Sequence, residues 1–174
     1  CQIAHKDSNA LQCALLPLLQ AKEADWQKLY QQKSQFLMQL LASVALAPLP
    51  GVSALLQALH REKIKSCVVT HSTKALVTLI RQRLAVLNLI PYWLTREDYQ
   101  VAKPAPDGYL KAIALYAADK RPIIGFEDSL KGWQALAATP ALPVLICPDC
   151  HPQLAVAQKP LLHFNSFLAI NNLP

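Results

Sequence analysis

The chain has 174 residues, 53% of them hydrophobic and 16% charged, with a formal net charge of +6. That length holds one ordinary domain, or one domain with part of another, and the apolar content excludes a disordered chain. The basic residues are scattered (Lys63, Lys65, Arg81, Arg83, Lys103, Lys111, Lys120, Arg121), with no basic run or aromatic-basic platform, so small phosphorylated molecules suit the charge better than nucleic acid.

In chain order, CQIAHKDSNALQ lacks the basic start, apolar stretch and small cleavage-site residues of a secretory signal. No apolar run reaches the roughly 18 residues a spanning helix needs, so a soluble, cytoplasmic protein without membrane contact is expected. Position 1 is Cys, not Met, which fits a chain that begins inside a longer polypeptide. From Leu11 to Val44 the pattern is helical. Between Ala24 and Val44, Trp26, Leu29, Tyr30, Phe36, Leu37, Leu40 and Leu41 recur at steps of three and four, one stripe of an amphipathic helix. Lys33 projects near the middle of that stripe, where either its stem snorkels out of a packed face or its ammonium reaches a ligand.

APLPGV (47–52) punctuates the chain, and strands then alternate with helices. A helix from Val52 to His60 leads to the strand-like KSCVVT (65–70). A helix from Ser72 to Leu87, with Ser72 as its N-cap, precedes a short strand near YWLT. A loop containing KPAPD opens a helix from Asp107 to Ala118. PIIGF is a buried strand, the helix after Asp128 carries SLKGWQALAA, and LPVLIC, a short helical piece and an edge strand LLHF close the chain. Such alternation predicts an α/β fold, a Rossmann-like parallel sheet flanked by helices, with ligands at the carboxyl ends of the strands. The domain reading is a partial α-helical cap over residues 1–47 and an α/β core over 48–174.

Five cysteines, Cys1, Cys13, Cys67, Cys147 and Cys150, make an odd number. Cys67, in an apolar strand, reads as an inert core thiol. CPDCH (147–151) has a spacing used for haem attachment or for half of a zinc site, but no second pair stands at ligand spacing, and the plain reading is a Pro-containing turn after a strand. His60, His151 and His163 read as structural or solvent-facing, and Trp133 as core.

Three features fall at strand ends. Thr70 closes CVVT, where its hydroxyl and nearby N–H groups, including that of His71, could hold a phosphoryl oxygen. Lys103 stands before Pro104, which restricts it to extended geometry, and its ammonium could neutralise phosphate. Glu127 and Asp128 are adjacent carboxylates of the kind a hard cation such as Mg²⁺ takes. Each has a plain alternative, such as an acidic pair favoured by a helix dipole.

In combination, PLPGV (48–52), KSCVVTHS (65–72), KPAPDGY (103–109) and IGFEDSLKGWQAL (124–136) resemble the haloacid dehalogenase superfamily of hydrolases, the subgroup with beta-phosphoglucomutase and phosphoglycolate phosphatase. The resemblance runs from about Ala24 to Leu145. It implies that Thr70, with His71 and Ser72 beside it, and Lys103 bind the phosphoryl group, that Asp128 ligates Mg²⁺, and that Glu127 joins it directly or through water. It also implies that Lys33 matches a basic cap residue which in some members reaches substrate. His71 stands where relatives often have Asn, and a substrate contact and a surface role remain open for it.

The departure lies in the nucleophile. Members carry a D-x-D pair at the end of a first strand, whose first Asp forms an aspartyl-phosphate and whose second is general acid and base. None of Asp7, Asp25, Asp98, Asp107, Asp119, Asp128 and Asp149 is followed by Asp two positions on. The expectation is therefore a core whose first strand is missing, leaving a gap beside CVVT and IIGF, in a truncated phosphatase or phosphomutase for a small phosphorylated metabolite, monomeric when complete and inactive as this chain. The alternative is a degenerate, non-catalytic module that binds phosphate or a partner.

Overall fold

The computed structural model describes residues 23–117, 121–155 and 161–171. The chain divides into two compact units, Cys1–Ala45 and Leu46–Pro174. In the first, α1 (Glu23–Ser43) follows the expected helical pattern, while residues 11–22 of that expectation lie outside the described residues. The stripe does not behave as a packed face: Leu29, Tyr30, Phe36 and Leu40 are all exposed. Lys33 is exposed too, its ammonium 5.7 Å from the centre of the Tyr30 ring, as a solvated lysine one turn from an aromatic would be.

In the second unit, α2 (Val52–Arg61) starts at Gly51, whose φ of 88° is left-handed. A side chain at Gly51 would also strike the Phe167–Leu168 backbone, its Cβ lying 2.5 Å from the Leu168 nitrogen. Glycine is required there twice, by angle and by space. The helix ends in a Schellman turn: Lys63 N–H donates to His60 O and Ile64 N–H to Leu59 O, with Lys63 at φ 54° in the position glycine usually fills. The chain then enters β1 (Cys67–Val69).

The following helix, α3 (Lys74–Arg83), corrects the expected boundaries at both ends. Its N-cap is Thr73, whose hydroxyl accepts from Leu76 N–H, and not Ser72. Ser72 is committed elsewhere: its N–H donates to the Thr70 hydroxyl and its carbonyl accepts from Arg96 N–H, which holds it in the turn before the helix. At the far end Leu84 leaves helical angles, and Ala85–Leu89 form a 3₁₀ turn that delivers a buried Ile90 to β2 (Tyr92–Leu94). Then come α4 (Asp107–Tyr116), β3 (Ile124–Glu127), α5 (Leu130–Ala137), β4 (Leu142–Ile146), α6 (Pro152–Ala155), β5 (His163–Phe164) and α7 (Phe167–Asn171).

All strand pairs are parallel, but they form two sheets, β1–β2 and β3–β4–β5. Among the described residues neither β1 nor β3 has a second strand neighbour. The break falls where the sequence predicts it, beside CVVT and IIGF. β4, flanked on both sides, carries three buried side chains in a row, Val144, Leu145 and Ile146, and α5 packs against it with Ala135 and Leu136 buried as well. On β3, Ile124 and Phe126 are exposed.

Candidate active site

Both sheets point their carboxyl ends at one place. In a parallel ladder successive residues direct their backbone groups to opposite sides. Thr70 N–H donates to Leu94 O, toward β2, so the groups of Val69 face the side of β1 that β2 does not use. There the Lys103 ammonium donates to Val69 O at 3.1 Å and to Glu127 Oε1 at 2.5 Å. One side chain thus ties the end of β1 to the end of β3. The Tyr109 ring lies beneath the same ammonium, its centre 4.7 Å away, a cation–π contact from the first turn of α4.

Glu127 is buried, and its partner Lys103 nearly so. Burial is the main influence on the Glu127 carboxyl and holds its pKa above the ordinary 4.5, with the Lys103 charge and hydrogen bond pulling the other way. The carboxylate lies against Gly132 on the first turn of α5: a Cβ there would sit 1.8 Å from Glu127 Oε2. Gly132 N–H in turn donates to the hydroxyl of Ser129, the N-cap. Asp128, one residue past the strand, is exposed.

Around Thr70 the backbone is held on both sides. Tyr99 O–H donates to Thr70 O at 3.0 Å, and the Thr70 hydroxyl accepts from Ser72 N–H at 3.1 Å, leaving its own O–H available to donate. Burial raises the pKa of Tyr99, so that it stays a donor. His71 is exposed, its ring centre 6.3 Å from that of Tyr99.

Of the residues singled out in the sequence, the structure gathers Thr70, Lys103 and Glu127 at the strand ends, with His71, Ser72 and Asp128 next to them in the chain. The Ser72 backbone N–H donates to the Thr70 hydroxyl. The Glu127 carboxylate accepts from Lys103 through Oε1. Lys33 belongs to the other unit. Sequence reasoning missed Tyr99 and the ring of Tyr109. Tyr109 stands inside KPAPDGY and was within reach of a motif argument, whereas nothing local to Tyr99 marks it.

Among the described residues no three His, Cys, Asp or Glu side chains gather, and one oxygen of Glu127 is engaged by a lysine. Asp128 offers one hard oxygen ligand. The CPDCH segment is a turn, with His151 N–H donating to Pro148 O; Cys147 is buried and His163 holds its carbonyl at 2.7 Å. Burial pushes the Cys67 thiol up to about 11, as an inert core thiol requires.

Residues 4–139 match the haloacid dehalogenase-like hydrolases. The chain belongs to this family. It is 34% identical to (DL)-glycerol-3-phosphatase 1, mitochondrial, of Arabidopsis thaliana, in a match covering 58% of this chain and 36% of that one, so it spans little more than a third of that relative's length. Among solved structures, a family IA, variant 3 member of the haloacid dehalogenase hydrolases from Entamoeba histolytica superposes with a TM-score of 0.77 at 21% identity, covering 97% of this chain and 76% of that one. The beta-phosphoglucomutase of Clostridium difficile gives 0.72 at 18% identity, covering 94% and 72%. These likenesses carry the fold, a haloacid dehalogenase-like α/β core of parallel strands and helices. No helix among the described residues is long and apolar enough to cross a membrane.

Proposed function

We propose that this haloacid dehalogenase-like chain is the phosphoryl-holding part of a Mg²⁺-dependent phosphatase or phosphomutase acting on a small phosphorylated metabolite, in a cytoplasmic monomer. The observation that carries this reading is Lys103, held between Val69 O and Glu127 Oε1 at neighbouring strand ends. A lysine ammonium has three donors, and these contacts use two. The third is left for a phosphoryl oxygen, on an ammonium whose position is fixed before substrate arrives. The Thr70 hydroxyl, its lone pair given to Ser72 N–H, donates a second hydrogen bond from the adjacent strand end. Fixed donors of this kind stabilise charge on a transferring phosphoryl group without reorganisation. When bound, Mg²⁺ would share that charge neutralisation, with Asp128 among its ligands and the rest of its donor set outside the described residues. Lys33 is assigned to substrate contact from the cap.

The attacking Asp has its place on a strand between β1 and β3, the two strands whose inner sides no described strand covers. This chain, lacking D-x-D, is therefore assigned no turnover by itself. That same lack favours the second reading, a module that binds phosphate without catalysis.

The test is phosphate release from glycerol phosphate, phosphoglycolate and hexose phosphates by the full-length polypeptide with Mg²⁺. The expected result is turnover abolished by EDTA and reduced at least about 100-fold by Asp128→Ala or by Lys103→Ala, the range for losing a charge-stabilising group. Unchanged turnover in both variants would remove the site assignment, and saturable phosphate binding without turnover would select the non-catalytic reading.

A further inference from the structure

A cavity lies against β2, away from Lys103. It has a volume of about 350 Å³, room for a ligand of mononucleotide size, and is walled by α3, β2 and the end of α4. None of the residues assigned to phosphoryl transfer lines it.

Its walls divide by chemistry. Lys74, Thr78 and Arg81 come from one face of α3, at steps of four and three, and present two cations and a hydroxyl. Lys74 is in the first turn of its helix, the end where the macrodipole disfavours a positive charge, so helix stability does not explain it. Arg81 lies over the Trp93 ring, 5.2 Å from its centre, and its Nε is buried with no hydrogen-bond partner among the described residues. A buried guanidinium nitrogen without an acceptor costs free energy, and the rest of the guanidinium is the part of Arg81 that can meet an anion in the cavity. Two aromatic rings from successive residues of β2 complete the lining: Trp93, beneath Arg81 and pinned by its indole N–H to Ile90 O, and Tyr92, stacked on Tyr116 with ring centres 4.1 Å apart. Asp98, the acid in the lining, gives Oδ2 to the N–H and hydroxyl of Thr95, and those bonds hold its pKa below the usual carboxylate range. Its other oxygen is turned to no donor among the described residues and can accept from a ligand hydroxyl or amino group.

We infer that this cavity binds a small anion carrying a planar ring, of the nucleoside monophosphate class, with its charge against Arg81 and Lys74 and its ring against the aromatic wall. Arg81 is the residue on which affinity depends, because its guanidinium, held over the Trp93 ring, brings a fixed positive charge to the cavity wall. The site is independent of the phosphoryl crevice proposed above.

The test is calorimetric titration of the full chain with adenosine monophosphate, with adenosine and inorganic phosphate as partial probes. The expected result is one saturable site, weakened at least about tenfold for each partial probe and for Arg81→Met, which keeps the stem and loses the charge. Thr78→Phe, which blocks the cavity from an exposed helix position without touching the Arg81–Trp93 pair, should abolish binding and serves if Arg81→Met fails to fold. Absence of saturable binding at millimolar ligand would overturn the site. So would binding that survives Thr78→Phe, which would put the ligand outside this cavity and leave the phosphoryl-transfer reading intact.

Discussion

β4 and β1 are both short parallel strands of branched apolar residues, yet they live differently. β4 has a strand on each side and a helix across it, and Leu145 is fully excluded from solvent. β1 has β2 on one side and, on the other, a lysine ammonium on its last carbonyl; all three of its residues are half-buried. The difference shows that strand burial is conferred by neighbours more than by composition, since CVV and VLI are nearly equally apolar. It also shows where the stability of this chain is concentrated.

The comparison breaks most sharply under truncation of matched side chains. Leu145→Ala should lose about 3 to 4 kcal/mol, the cost of deleting a fully buried leucine and leaving its cavity. Val68→Ala, at the middle of β1, should lose about 1 kcal/mol, because only part of its surface is removed from water. Urea denaturation of the two variants beside the parent measures both. Equal losses would mean that the two sheets are equally packed.

Lys103 is the link between the two sheets, and its removal tests whether they depend on each other. Lys103→Met leaves the Glu127 carboxylate buried and unpaired, which should cost about 3 kcal/mol at pH 7. Burial already raises the pKa of Glu127 above 4.5, and loss of the cation raises it further. A carboxyl whose folded pKa lies above its unfolded value binds protons more readily when folded. Its favourable contribution is therefore complete below the unfolded value and is lost as pH rises through the folded one. The variant should thus regain stability on acidification from pH 7 toward 5 relative to the parent. Thermal midpoints across that range check it, and a constant difference would mean that Glu127 is solvated once Lys103 is gone.

Much of this was legible in the residues. Alternating apolar runs and helical periods placed every described strand and the helices as far as Ala155, because two-residue and 3.6-residue patterns survive without tertiary information, but they did not mark α7 (Phe167–Asn171). Among the described residues no strand joins β1 to β3. Other features depend on contacts far apart in sequence. Ser72 and Thr73 are equally good caps by type, and the choice fell to Thr73 because Thr70 and Arg96 had already taken the backbone of Ser72. Glu127 and Asp128 look alike in a string of letters. The fold separates them by burying one against Gly132 beside Lys103 and leaving the other in water. Tyr99 holds Thr70 from 29 residues away, a distance no local pattern encodes.

The smallest effect runs in the stabilising direction and sharpens the contrast from the side of β1. Lys63 ends α2 in the left-handed region at φ 54°, where an L side chain is strained and glycine is not. Its neighbours fix that conformation through the bonds from Lys63 N–H to His60 O and from Ile64 N–H to Leu59 O, so the backbone cannot relax to relieve it. Replacing it by glycine removes about 1 kcal/mol of strain and returns part of that in unfolded-chain entropy, for a net gain of about 0.5 kcal/mol. Because the turn delivers the chain into β1, the gain should also appear as slower amide exchange at Val68 and Val69, with Val144 and Leu145 unaffected. Slower exchange in both sheets alike would mean that they open as one unit, and the contrast between β1 and β4 would then be one of packing and not of cooperativity.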